Sequence, residues 1–278
     1  MKRILGLVAS QRKIANGEIL IKEATASIGE PFKLELIRLP ELNLQPCRAC
    51  YTCLAPDQRC PLKDDLYFLL DKIKEADAII MSAPCYALGP AAIIKLFGDR
   101  IIALAQQLDV LWGKPCVLIG TTGIKGWEGY TLSALIANAR FIGFDVKDAH
   151  VFLGALPGQA LDNETSLKRI RAMGVALFSV PRQPEAGQCP TCWSDIWKFP
   201  ESNHAVCPLC GQEATICASE NGLQWNFGAT GQRFEKEALT EHFQVWLKDQ
   251  VQEFRDRRKE LSEIRNGYKG QDTWIKPD

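Results

Sequence analysis

Several features are missing from this sequence, and each absence closes a route. No apolar run approaches the roughly eighteen residues that a membrane-spanning helix needs. Neither sign of charge dominates: Lys+Arg and Asp+Glu balance at 33 each, so no net field draws the chain onto nucleic acid or an anionic membrane. Histidine is scarce, at 3 residues, and no Ser-His-Asp or Cys-His constellation can be read around it. Both the Gly-rich dinucleotide fingerprint and the Walker phosphate loop are lacking, which argues against a Rossmann NAD site and a P-loop nucleotide hydrolase. There is no internal repeat or low-complexity tract. What remains is a chain of 278 residues, 46% hydrophobic and 24% charged, with the composition of a globular protein and the length for one full domain plus a smaller one.

Cysteine, by contrast, is plentiful at 11 residues, and two groups of them fall at regular spacings. The opening Met1-Lys2-Arg3 runs into an apolar stretch, 4–9, too brief for a secretory signal core, so a cytoplasmic setting is expected. Thiols stay reduced there, and regularly spaced ones read as metal ligands rather than disulfides.

Residues 1–182 alternate β-rich apolar runs with longer amphipathic ones, the pattern of βαβ units on a mainly parallel sheet. Strands are expected at 3–9, 33–39, 78–83, 116–120 and 147–154, each apolar enough for burial on both faces. Helices are expected at 17–28, 64–75, 90–105, 130–142 and 164–180, with Pro90 at a first helical position and Gly143 as a stop. The fold class is therefore α/β, a doubly wound five-stranded sheet. Prolines and a glycine at 181–187 suggest a linker. Residues 187–232 form a small module with little periodicity, held by metal more than by core. In 233–278 the spacing of Phe234, Leu239, Phe243, Trp246, Leu247, Val251 and Phe254 predicts one amphipathic helix and a tail.

The first strand ends in Ser10-Gln11-Arg12-Lys13-Ile14-Ala15-Asn16-Gly17, and a helix follows at once. That order aims unpaired N–H groups and the positive end of a helix dipole at an anion. Ser10 can donate its hydroxyl, Arg12 can fork onto phosphate oxygens and Asn16 is placed as an N-cap; Lys13 and Gly17 are counted with them. A polar loop of this kind can equally be a simple turn. Two more loops favour a ligand site: Pro84, Cys85, Tyr86, Ala87, Leu88 and Gly89 after the third strand, and Thr121, Thr122 and Gly123 after the fourth. Ligands of open α/β sheets bind beyond the carboxyl ends of the strands, where these loops would converge, one on a phosphate and two framing a flat ring.

Through the Ser-x-Arg loop with Asn16, the Pro-x-Tyr loop at Pro84 and Tyr86, and the glycine-bearing fourth loop, residues 1–180 resemble the flavodoxin-like NADPH-dependent FMN reductase and iron–sulfur flavoprotein family. Ala9, Gln11 and Gly17 depart from the Gly, Pro and Ser or Thr that members often carry there. The resemblance implies strand order 2-1-3-4-5, FMN as cofactor, and a homodimer or homotetramer with flavins near subunit interfaces.

After the second strand come Cys47, Cys50, Cys53 and Cys60. Three thiolates at i, i+3 and i+6 can face one centre and a fourth can close the cage, which suits a [4Fe-4S] cluster; zinc usually takes two separated pairs. The spacing also resembles the compact cysteine motif of iron–sulfur flavoproteins. Four ordinary thiols are the plain alternative. A cluster moves single electrons and a flavin one or two, so together they would link a donor, a ferredoxin-like protein or NAD(P)H, to a small-molecule acceptor.

Cys189 and Cys192, then Cys207 and Cys210, form two C-P-x-C knuckles that resemble zinc ribbons and short rubredoxin-like modules. Zinc is expected there, with iron as the alternative. The module holds Lys198 against Asp195, Glu201, Glu213 and Glu220, so it repels phosphate, and no nucleic-acid partner is expected. Its aromatics read as a small core and a packing surface, docked on the first domain or a second copy and partly covering the redox site. The expected function is an FMN-dependent iron–sulfur oxidoreductase. The alternatives are an NAD(P)H-dependent FMN or quinone reductase without a cluster, and a zinc-ribbon binding protein on a flavodoxin-like scaffold. No catalytic side chain is nominated; His150 reads as core or sheet edge, and Cys85 as a small side chain beside the flavin.

Overall fold

The computed structural model describes residues 1–220, 222–270, 273 and 275. Asn221 of the small module, and 271–272, 274 and 276–278 of the expected tail, lie outside the described residues.

Strands β1 (Lys2–Val8), β2 (Phe32–Arg38), β3 (Ala78–Tyr86), β4 (Pro115–Thr122) and β5 (Asp145–Leu153) pair in parallel in the order 2-1-3-4-5. The buried stretches of the central strands are mostly apolar, as suits strands covered by helices on both faces. Ile4, Val8, Ile80, Val117 and Ile119 meet Leu20, Ile21, Ile170 and Met173 from α1 (Asn16–Ala26) and α5 (Glu164–Ala176). On the other face Leu5, Leu7, Ile79, Met81 and Leu118 meet α2 (Leu66–Glu75), α3 (Ala92–Asp99) and α4 (Thr131–Ile142). The expected two-sided burial fails for β2, an edge strand on which Lys33 pairs with Glu35 at 2.8 Å. Charge on an edge discourages pairing with another chain.

Gly143 ends α4 in the left-handed region, at φ +90°, as its spacing suggested. Pro90 does not open a helix. It lies in the two-residue strand Gly89–Pro90 that folds back on β3, and α3 begins at Ala92. The expected helix at 90–105 also stops short: α3 gives way at Arg100, whose side chain turns inward to Asp64, and a 3₁₀ turn, Ile101–Leu104, follows.

The small module holds an antiparallel sheet of β6 (Lys198–Glu201), β7 (His204–Val206), β8 (Glu213–Ser219) and β9 (Gly222–Phe227), in order 9-8-7-6. These strands are short and mostly exposed on both sides, so their sequence lacks the period-two alternation of a half-buried strand. The single helix expected after 233 is broken into α6 (Lys236–Thr240), a π-helical turn at Glu241–Trp246, α7 (Leu247–Asp256) and α8 (Arg258–Asn266). The wider turn seats Phe243 in the core against Phe141 and stacks His242 on Trp246 at 5.3 Å.

The module does not hang from a free linker. Cys189, Cys192, Cys207, Cys210, Leu239 and Phe243 belong to the same apolar core as α2, α3 and α4. Ser133 on α4 shares a hydrogen bond with Ser194 at 2.9 Å and donates to Asp195 at 2.5 Å. Arg182 in the linker bonds the buried Asp148 of β5 at 2.9 Å and lies over the Trp193 ring.

Candidate functional site

A cleft of about 250 Å³ opens at the carboxyl ends of β1, β3, β4 and β5. Ser10, Arg12, Asn16, Gly17, Pro84, Cys85, Tyr86, Thr121, Thr122 and Gly123 line it. Lys13, Ala87, Leu88 and Gly89 do not. Lys13 points to solvent, Ala87 and Leu88 form the positive-φ turn of the β3 hairpin, and Gly89 packs against the Tyr130 ring. The lining also takes in Ala15, Ser82, Gly154, Ala155 and Pro157, which the sequence reading missed. For Gly154 and its neighbours a signal existed: they follow the end of a parallel strand, where ligands bind.

Asn16 is not the N-cap. Ala15 holds that position, and Asn16, the first helical residue, donates to Gly154 O at 2.8 Å, tying the loop after β1 to the loop after β5. The first N–H groups of a helix have no partner inside it, and Asn16 and Gly17 carry two of these at the cleft wall. Behind the loop Arg38 donates to Ser10 O at 3.0 Å, Arg12 O at 2.8 Å and Glu18 at 2.8 Å. Lys22 above all, then Arg38 and the Ile14 N–H, hold the Glu18 carboxyl down at about 2 against the opposing effect of burial. Arg12, in contrast, pairs with no carboxylate among the described residues. Ser82, at 0% exposure, has a hydroxyl with no hydrogen-bond partner, and a Cβ on Gly17 would stand 2.7 Å from it. An unpartnered cation, open helix N–H groups and an orphaned hydroxyl fit a phosphate group.

Cys47, Cys50, Cys53 and Cys60 all border one cavity, closed by Leu62, Arg100 and Ile102. Their loop is shaped by positive φ at Ala49 (49°), Tyr51 (56°) and Asp57 (56°), a costly conformation for residues with a Cβ. Burial, and then the charges of Cys60, Cys50 and Cys47, push the Cys53 thiol up to about 11. The Thr52 hydroxyl donates to Cys50 Sγ at 3.4 Å and lowers that thiol's pKa, while Arg100 donates to Cys60 Sγ at 3.3 Å. Arg100 and Asp64 were not singled out in the sequence, although an arginine directly before the apolar run 101–105 was a signal.

One helix joins the two places. Helix α3, of 8 residues, starts just after the Pro84–Pro90 hairpin at the cleft and ends at Arg100 on the cysteine cavity. At 1.5 Å per residue it spans about 12 Å. Among the described residues nothing beyond Pro157 lines the cleft, so the small module does not cover the cleft of its own chain. The C-terminal helices reach the cysteine loop instead, with Gln250, Val251, Phe254 and Leu261 facing Cys50 and Tyr51 across a groove.

Cys189, Cys192, Cys207 and Cys210 are buried, with their sulfurs all within 4.8 Å of one another. The two knuckles repeat one geometry: a left-handed residue follows the second cysteine of each, Trp193 at φ 72° and Gly211 at φ 88°. Thiol–thiol hydrogen bonds, that of Cys189 first, hold Cys207 well below its ordinary pKa and push Cys192 well above. This donor set fits one tetrahedral ion.

A doubly wound parallel sheet with a cleft at its carboxyl edge is the architecture of the flavodoxin-like flavin-dependent oxidoreductases. Residues 2–153 match the NADPH-dependent FMN reductase family, and the chain belongs to it. It is 36% identical over 188 residues to an iron-sulfur flavoprotein of Methanocaldococcus jannaschii, covering 64% of this chain and 96% of the relative. A flavone synthase of Aspergillus candidus is 24% identical over 262 residues, 81% of each chain. A solved structure titled flavone reductase superposes with a TM-score of 0.77 at 20% identity, over 99% of this chain and 100% of its own, so the same fold extends through the small module. Among the described residues no helix is long and apolar enough to cross a membrane.

Proposed function

We propose that the chain is an FMN-dependent iron–sulfur oxidoreductase that passes electrons from a donor, a ferredoxin-like protein or NAD(P)H, through a [4Fe-4S] cluster and FMN to a small acceptor. The observation that carries this reading is the pairing of the cleft with the four-cysteine cavity at opposite ends of α3. The relationship to the archaeal iron-sulfur flavoprotein supports it.

FMN and cluster together supply an exchange between one- and two-electron chemistry. The chain's residues hold and tune them. Ser10, Arg12, Ser82 and the N–H groups of Asn16 and Gly17 bind the phosphate, with Arg38 and Glu18 fixing the loop from behind. Pro84, Cys85, Tyr86, Thr121, Thr122 and Gly123 frame the ring, and Cys85 Sγ turns away to Trp127 O at 3.3 Å, consistent with a spacer. Cys47, Cys50, Cys53 and Cys60 hold the cluster. Cys189, Cys192, Cys207 and Cys210 hold zinc, with iron as the alternative. Exposed Tyr86 in the cleft lining suits a flat, conjugated acceptor, in keeping with the names of the fungal relative and the structural neighbour. Exposed Leu88, Ile124 and Leu156, close in sequence to cleft-lining residues, suit a contact between two copies of the chain.

An anaerobic reductive titration followed in the visible tests the reading. With zinc between the knuckles it expects about three electrons per chain, one for the cluster and two for the flavin, and acid-labile sulfide measured alongside separates cluster iron from a single iron at the second site. Uptake of about two, with flavin peaks alone, supports the clusterless reductase instead.

A further inference from the structure

Arg100 is the largest fully buried side chain among the described residues, and its position is costly unless every donor is used. Its guanidinium donates to Gln45 O at 2.6 Å, to both Asp64 oxygens, and through Nη2 to Cys60 Sγ at 3.3 Å. Asp64, at 0% side-chain exposure, also accepts from Gln45 N at 2.9 Å and Leu66 N at 3.3 Å. The ion pair is complete without Cys60, yet one guanidinium edge is turned onto that sulfur at the cavity wall.

Resting on the cluster reading above, we propose that Arg100 and Asp64 are positioning residues of opposite sign that set the cluster's reduction potential. Reduction adds one electron, and part of that charge falls on the cysteine sulfurs. An N–H donated from a cation strengthens as the sulfur grows more negative, so Arg100 favours the reduced form and raises the potential. Asp64 places a negative charge behind the guanidinium and offsets part of that effect. Solvent screens neither, because both are buried. Two further cations stand near: Arg48 lines the cavity beside Cys50, and Arg59 lies over the Tyr67 ring at 4.9 Å, but neither donates to a cluster sulfur among the described residues.

The test is a spectroelectrochemical titration of anaerobically prepared wild type, Arg100→Met, Arg100→Lys and Asp64→Asn, with iron and sulfide measured on each. Arg100→Met is expected to move the cluster to a more negative potential, Arg100→Lys to fall between it and wild type, and Asp64→Asn to move it the other way. The flavin potential should stay fixed in all four. Should Arg100→Met fail to keep its cluster, the Arg100→Lys and Asp64→Asn shifts decide the matter. Unmoved potentials, or shifts of one sign in both positions with the cluster intact, overturn the assignment while leaving the function standing. Wild-type protein without sulfide overturns both.

Discussion

Single side chains decide how the cleft is used. Ser82 has an unpaired hydroxyl in a buried position, so removing it should cost the empty protein little and cost FMN binding a hydrogen bond to a charged group. That bond is worth about 1.5–3 kcal/mol. Ser82→Ala should therefore weaken FMN at least about tenfold by fluorescence titration while leaving the melting temperature of flavin-free protein unchanged or higher. His150 shows how pH enters at this scale. Burial first, and then Arg169, hold its pKa near 4 against 6.5 for the free side chain. The unfolded chain takes up the proton first, so stability is full above pH 6.5 and falls as pH drops toward 4, by on the order of 3 kcal/mol. His150→Gln should flatten that part of the denaturation curve; a slope identical to wild type contradicts the assignment. Ser82 was hard to foresee because a serine near the end of an apolar strand looks like tolerated core. The anion-loop residues were easy because strand, polar loop and helix come in immediate succession.

At the scale of elements, the strands were legible because the buried stretches of β1, β3 and β4 read as apolar runs, whereas their order followed from the family resemblance alone. The ends of α3 were not, since nothing local tells a continuing helix from one that Asp64 draws aside at Arg100. The sheet of β6 to β9 escaped for a different reason: exposed strands carry no alternation, and knuckle geometry with a shared core fixes their position. The cysteine loop was visible by spacing alone. Serine at Cys53 or Cys60 should abolish cluster absorption and acid-labile sulfide while leaving about one FMN per chain, because these thiols lie outside the cleft lining. Loss of flavin in step with the cluster contradicts that separation.

Across the whole molecule, the two modules share one core, so an ion held between the knuckles, as proposed, would be coupled to the stability of the flavin-binding half. Cys207→Ala removes a ligand from a buried four-thiolate site and should cost about 5 kcal/mol or more, lowering the melting temperature of the entire chain by ~10 °C or more. Two separate transitions, with the flavin half unmoved, contradict the coupling. Everything functional rests on FMN and an iron–sulfur cluster residing in one polypeptide at the two ends of α3. The direct measurement is FMN, iron, zinc and acid-labile sulfide per chain in protein purified without oxygen. The account predicts about one FMN and about four sulfides, with sulfide separating cluster iron from any ion held by the second set of cysteines. Flavin without sulfide, or neither, contradicts it.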